Sequence, residues 1–344
     1  MPHGVLLSGS EGGSVLMEAY YTVLCLMCDQ FSAASEPCLH CKNCQRVSRW
    51  VHPDVHFVPP SFDAAHESKD LLPSWREFAG ENDFFTIAQW AEKMESTRHP
   101  NINRRQTREL IHHYHFKAFE GGKKIFFIWG AEYLDKESNR MLKILEEPTD
   151  NTYFILVSYD KNQLLPTILS RMQQFDIPRV PQEQMVQYAM EQGQKDQERI
   201  REVVHLTDGN VVEMMQILQQ DKQVFSEILL EVLRSAFSRN GVRIADWAEK
   251  AAKMSHREYF YFVRYQLHFL RETLAGYAQM GYDKKLLPSE KKAAEWLLGR
   301  VEFADLFRLV SAMDQFSRAL RQHGNLKILS MKMALEYKRL FHNN

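Results

Sequence analysis

Four cysteines, Cys28, Cys38, Cys41 and Cys44, follow the spacing C-x9-C-x2-C-x2-C. Two-residue gaps let neighbouring thiolates converge on one ion at about 2.3 Å, so any fold of this chain must gather residue 28 and segment 38–44 around a single point. A full set of four leaves no coordination place for water, which makes a zinc bound here structural: a staple for residues 28–44. Cys25 lies one helical turn before Cys28 and is an alternative ligand. The preferred assignment uses Cys28 and leaves Cys25 in the core as a small apolar group. The competing reading, a chance cluster of buried thiols, needs three unrelated cysteines within residues 38–44. The start Met1-Pro2-His3 has no basic stretch followed by an apolar one, so no secretory leader is expected, and a reducing cytoplasmic setting favours metal over disulfides.

At 344 residues the chain has room for two or three domains. No apolar run approaches the roughly 20 residues of a membrane span, so no membrane partner is expected. A net charge of −1 gives no global drive toward nucleic acid; DNA contact would rest on a local patch, on helix ends or on partners.

The first strand reads Val5-Leu6-Leu7-Ser8, the turn Gly9-Ser10-Glu11-Gly12-Gly13, and a helix follows from about Val15 to Cys28. Apolar runs recur at 55–58, 125–128 and 153–157 with helical segments between them, the alternation that builds a parallel α/β sheet buried on both faces. Residues 59–101 look like an insertion whose aromatics form either a private mini-core, the preferred reading, or a contact surface. After Pro178 the strand pattern stops. Helices follow, separated by Asp208-Gly209-Asn210, Arg239-Asn240-Gly241, Leu287-Pro288 and His323-Gly324-Asn325. The expected division is an α/β domain at 1–178, a small helical lid at 179–222 and a longer helical bundle at 223–344, with Phe225, Ile228, Leu229, Val232 and Leu233 at helical spacing.

A working phosphate loop reads G-x-x-x-x-G-K-[ST], with backbone amides around the phosphates, a lysine on the terminal ones and a hydroxyl on magnesium. Counting from Gly9, through Gly12 and Gly13, the last three places hold Ser14, Val15 and Leu16. The charge and the metal ligand are both gone. A second loss is independent: after Phe126-Phe127-Ile128, where an acidic pair would bind magnesium and orient water, the chain has Trp129 and Gly130. Hydrolysis at this loop is not expected.

Strand 125–128, Ala131-Glu132, Asn139, the block Met141-Leu142-Lys143-Ile144-Leu145-Glu146-Glu147-Pro148 and the string Leu164-Leu165-Pro166-Thr167-Ile168-Leu169-Ser170-Arg171 together resemble bacterial clamp-loader subunits of the AAA+ class. His52-Pro53-Asp54, residues 102–110 and Asp208-Gly209-Asn210 support the resemblance, which runs from about residue 4 to 220 and weakens over 223–344. Cysteines between the loop and the second strand are shared by the motor and delta-prime branches; loss of the ATP-site residues marks the delta-prime branch of the DNA polymerase III clamp loader. Three departures stand out: the first strand begins almost at Met1, where the family usually has a short helix, the familiar Ser-Arg-Cys reads Ser170-Arg171-Met172, and the 59–101 insertion is longer than the minimal family pattern.

The resemblance implies an α/β AAA+ module with a zinc-binding insertion, a helical lid and a C-terminal oligomerisation collar. It implies a fixed member of a five-subunit ring that loads the sliding clamp on primer-template DNA as part of the DNA-directed DNA polymerase holoenzyme. Its partners would be the motor subunit and the delta subunit, with ATP bound only in partner subunits. Arg171, with Ser170 beside it, would reach a neighbour's ATP phosphate as a trans-acting finger, because a guanidinium meets developing charge with a rigid fork of donors. The plain alternative for Arg171 is a helix-end charge paired with Glu or Asp.

Two further readings compete: an ATP-hydrolysing motor subunit of gamma/tau type, and a zinc-containing regulator that reads DNA directly. Val15, Leu16, Trp129 and Gly130 oppose the first, and the absence of a basic run in 28–50 opposes the second. Adjacent Glu146 and Glu147 do not face each other on a helix and read as a helix end closed by Pro148. His112, His113 and His115 splay around a helix and are not expected to share a metal, and Lys123 and Lys124 are expected to be solvated at a strand start.

Overall fold

The computed structural model describes residues 2–32, 36–120, 122–219, 222–238, 241–254, 256–277, 286, 288–321 and 325–342. It contains two compact units, Met1–Gln192 with Thr207–Glu213, and Gly193–Leu206 with Met214–Asn344.

The first unit holds a five-stranded parallel sheet of β1 (Gly4–Ser8), β2 (Val55–Val58), β3 (Lys124–Trp129), β4 (Thr152–Ser158) and β5 (Gln173–Asp176), in the order β2-β3-β4-β1-β5. With its flanking helices this is the expected α/β module built on a parallel sheet. The period-2 alternation of each strand splits the core in two. Val5, Leu7, Phe57, Phe127, Trp129, Ile155 and Val157 face α1 (Val15–Met27), α2 (Lys42–Ser48), α3 (Ser68–Glu81) and α4 (Ile87–Lys93). Leu6, Val58, Phe126, Ile128, Phe154 and Leu156 face α5 (Arg104–His115), α6 (Ser138–Glu146) and α7 (Pro166–Leu169). Helix α8 (Gln182–Glu191) follows β5.

Strand β5 has no counterpart among the apolar runs. It is a polar edge strand, Gln173-Gln174-Phe175-Asp176, exposed throughout. Its place is fixed by pairing with β1 and by side chains: Ser8 Oγ donates to Asp176 Oδ1 at 2.6 Å, and Lys161 Nζ lies 2.7 Å from the same oxygen. Lys161, then Ser8, hold the Asp176 carboxyl below its usual range.

The insertion corrects the mini-core expectation. Trp75, Phe78, Phe85 and Trp90 are buried, but they continue the sheet's own core: Trp75 lies 4.7 Å from Phe57 and 5.0 Å from Trp129, centroid to centroid. The aromatic mass therefore ties the insertion to β2 and β3.

The second unit is helical. It comprises most of α9 (Gln197–Thr207) and α10 (Val211–Gln219), then α11 (Lys222–Phe237), α12 (Gly241–Ala251), α13 (His256–Tyr277), α14 (Pro288–Leu298), α15 (Phe303–Arg321) and α16 (Leu326–His342). Phe225, Leu229, Val232 and Leu233 join Trp247, Phe262, Met313 and Tyr337 in one core, with Ile228 packed against it, as the helical spacing requires. The expected breaks at Arg239-Asn240, Leu287 and His323-Gly324 lie outside the described residues.

Candidate functional site

The four expected thiols meet. The sulfurs of Cys28, Cys38, Cys41 and Cys44 all lie within 4.8 Å of one another, and Cys28 Sγ and Cys38 Sγ are 3.6 Å apart. Ligands about 2.3 Å from a tetrahedral zinc sit about 3.8 Å from each other, so the set fits such an ion. Backbone amides aim at the sulfurs: Cys38 N at Cys28 Sγ (3.4 Å), Cys41 N at Cys38 Sγ (3.3 Å) and Cys44 N at Cys41 Sγ (3.4 Å), the last as the N-cap of α2. Burial would raise the Cys28 thiol, but the amides of Cys38 and Gln30, with the side chains of Cys38 and Cys44, together outweigh it and lower the group to about 7. Such donors favour thiolate, the form a metal needs, at Cys28 and Cys41, whereas burial raises the Cys44 thiol. Cys25 stands outside the group and is half-buried rather than in the core; burial, opposed by a hydrogen bond from Tyr21, raises its thiol.

His52-Pro53-Asp54 fastens this module to the sheet. Buried His52 lies 3.1 Å from Asn43 Oδ1 of α2 through Nε2, while its Nδ1 accepts the Asp54 amide. The Asp54 carboxylate accepts the amides of Phe119 (2.5 Å) and Glu120 (3.0 Å), pinning the approach to β3.

The degenerate phosphate loop lies at the carboxyl end of β1, next to β4, where Gly9 N donates to Ser158 O at 3.3 Å. In open α/β sheets the ligand crevice lies at such a topological switch. Here the crevice is lined by the chain's own groups. Val15 and Leu16 are 1% and 3% exposed and belong to the core, so the positions that lost lysine and hydroxyl now pack α1 onto the sheet. Gly12 has φ +72°, and a Cβ there would stand 2.2 Å from Asn210 Oδ1. The Gly12 carbonyl accepts Val211 N at 2.9 Å and Val212 N at 3.4 Å, while Asn210 Oδ1 accepts Glu213 N. The turn 207–213 thus rests on the loop as part of the same unit. Gly9 and Gly13 are also crowded, by the Ile177 carbonyl and Ser10.

Glu11 reaches outward from this loop to the insertion, where its Oε1 accepts Ile87 N at the start of α4 (2.6 Å). Burial raises its carboxyl, the Ile87 amide opposes that, and the charge of Glu132 adds to the rise. At the end of β3, Trp129 is fully buried and donates through Nε1 to Tyr159 Oη at 2.7 Å. Gly130 is left-handed, φ +71°, and a Cβ there would lie 2.7 Å from the Tyr133 ring. Glu132 accepts Tyr159 N at 3.1 Å, its other oxygen is buried without a partner, and burial raises its carboxyl as well.

Arg171 follows α7. Its Nη1 donates to Thr167 O (2.7 Å) and Ser170 Oγ (3.3 Å), its Nη2 pairs with Glu146, the last residue of α6, and its Nε is buried without a partner. In this chain by itself Arg171 is a paired helix-end charge.

Residues 1–181, just over half of the chain, match the family model described as DNA polymerase III, delta subunit. The chain belongs to that family. It is 24% identical over 257 residues to the DNA polymerase III subunit delta' of Escherichia coli, covering 74% of this chain and 65% of that one, and 26% identical over 174 residues to the Bacillus subtilis protein of the same name, covering 50% and 41%. Those alignments thus span less than two thirds of either relative. A solved gamma subunit-related protein from Thermotoga maritima aligns over 99% of this chain and 96% of its own at 12% identity, with a TM-score of 0.37, too loose a likeness to bear on the fold. Among the described residues no helix is long and apolar enough to cross a membrane.

Glu11, Asn210 and Glu146 enter the site although the motifs single out none of them for it. A carboxylate between loop glycines is the one local sign that Glu11 does something other than bind phosphate. The lysines also depart from expectation. Lys124 is buried and donates to the carbonyls of His113, Tyr114 and Phe116, closing α5, while Lys123 donates to Leu26 O near the end of α1. Lys124 opens β3 and Lys123 immediately precedes it, and each reaches a different helix end. The histidines do splay: His113 stacks on His56 at 4.4 Å and His112 meets the Phe116 ring edge-on.

Proposed function

We propose that this chain is the non-hydrolysing delta-prime member of a DNA polymerase III clamp loader, helping to place the sliding clamp on primer-template DNA during replication in the cytoplasm. The observation that carries the reading is the burial of Val15 and Leu16 in the core beneath a loop whose Gly12 carbonyl is already taken by Val211 and Val212. A loop built this way has no charge for a triphosphate and no ligand for magnesium, so ATP is turned over in partner motor subunits. Family membership supports the assignment to the holoenzyme.

In this reading Cys28, Cys38, Cys41 and Cys44 hold one structural zinc, and residues 1–178, 179–222 and 223–344 act as AAA+ module, lid and oligomerisation collar. Arg171 is the trans-acting finger, with Ser170 supporting it. Its guanidinium lies at the surface end of α7, 28% exposed, close enough to solvent to be presented to a neighbour. Arginine fingers supplied in trans are worth about 10³–10⁵ in rate in GTPases.

The test is reconstitution with a motor subunit and the delta subunit, comparing wild type with Arg171→Ala. DNA-stimulated ATP turnover should fall by the share of the site next to this chain, with the complex still assembled. Equal turnover in the two complexes removes the finger assignment, and failure of the wild-type chain to assemble removes the clamp-loader reading.

A further inference from the structure

Glu146 ends α6, where the free carbonyls already concentrate negative charge, and Glu147 stands next to it. A carboxylate there lowers helix stability, so α6 itself gives no reason for it. Its partner does: Glu146 meets Nη2 of Arg171 across the gap between α6 and α7. The rest of the guanidinium is held by groups of its own turn, with Nη1 on Thr167 O at 2.7 Å and on Ser170 Oγ at 3.3 Å. Two of its nitrogens are therefore engaged, while Nε is buried and unsatisfied. The contacts differ in kind. Thr167 and Ser170 are neutral and move with Arg171, whereas Glu146 is an anion on a separate helix, 47% exposed on its side chain.

We propose that Glu146 is a positioning residue that stands in for phosphate: it pairs with Arg171 Nη2 while no nucleotide is in reach and is exchanged for an anionic phosphate oxygen of a nucleotide bound by the neighbouring subunit. This rests on the finger reading and adds to it the group with which the nucleotide competes. A carboxylate and a phosphate offer similar oxygen pairs to the guanidinium fork, so the exchange needs no new arrangement of Arg171 beyond release of one partner. No bond is made or broken in this step. Because the pair is exposed, its hold is modest, which suits a contact that must open at each cycle.

The experiment uses the reconstituted complex and follows turnover against ATP concentration for wild type, R171A, E146Q and E146D. Subtracting the R171A curve isolates the Arg171-dependent part. With E146Q this part should half-saturate at an ATP concentration about 1.4- to 5-fold lower, the factor an exposed ion pair carries, with its maximum unchanged. E146D, which keeps the carboxylate, should stay nearer to wild type than E146Q. Wild-type half-saturation in E146Q, or a lowered maximum, overturns the proposal while leaving the finger intact. An R171A curve that overlies wild type instead removes the finger reading, and the two failures are distinguishable.

Discussion

The carboxylate of Glu11 accepts the backbone amide of Ile87 at 2.6 Å, joining the degenerate phosphate loop to the first turn of α4 in the insertion. A loop that elsewhere offers amides to an anion here supplies a carboxyl oxygen to another helix's amide. Burial raises this carboxyl above its usual 4.5, so the folded state favours its neutral form. Its contribution is fully present below pH 4.5 and declines as pH rises through the folded value. Glu11→Gln keeps an oxygen for Ile87 and cannot ionise. Thermal melts from pH 4 to 8 should therefore show a flatter alkaline decline for the variant and a midpoint at pH 8 no lower than wild type.

Gly12→Ala should destabilise the first unit by about 1–3 kcal/mol, because φ +72° is strained for a residue with a Cβ and the added carbon meets Asn210. Asn210→Gly alone should cost only a few tenths of a kcal/mol, since glycine is tolerated at an N-cap. The double variant should then be more stable than the sum of the two changes predicts. Chemical denaturation of the four proteins measures this coupling; strict additivity would mean that the contact with Asn210 carries no energy.

Metal analysis of the purified chain should approach one zinc per molecule. Cys38→Ser should lose most of it and lower Tm by about 5 °C or more, given roughly 2–4 °C per kcal/mol in a domain of this size. Retention of both metal and Tm would refute the staple.

Lys124→Met removes the cation that satisfies three carbonyls at the end of α5. Buried acceptors left without a donor cost about 1–3 kcal/mol each, so the loss should be about 2 kcal/mol or more. Lys123→Met, which frees one half-buried carbonyl, should cost less. Urea unfolding of the two variants compares them directly.

His56 lies between His113 and Phe126, and burial, helped by the charges of His113 and Lys124, lowers its pKa to about 3. The unfolded chain takes up this proton near pH 6.5, the folded chain only near 3, so stability falls as pH drops through that window. His56→Gln should flatten the acid limb of the stability profile between pH 6 and 4. An unchanged limb would show that His56 is freely protonated in the native state.

The four apolar strands were legible because burial on both faces leaves an unbroken run, and the cysteine module because a metal dictates short, fixed gaps. Strand β5 was not, since an edge strand exposed along its length carries no apolar period; backbone pairing with β1 and the Ser8–Asp176 contact hold it. The aromatics of 59–101 announced burial but not their destination. Only the packing of Trp75 on Phe57 and Trp129 made them part of the main core.

The sequence by itself determined the parallel sheet, the thiol set and the absence of lysine, hydroxyl and acidic pair from the phosphate loop, because each depends on residue type within a few positions along the chain. Tertiary structure alone decided what fills the crevice and where the charges go. Glu11 meets Ile87 across 76 positions, Gly12 meets Asn210, and Arg171 finds Glu146. These contacts depend on which helix ends the fold brings together, and local chemistry leaves that choice open: a carboxylate, a lysine or an arginine fits any free helix end or opposite charge within reach.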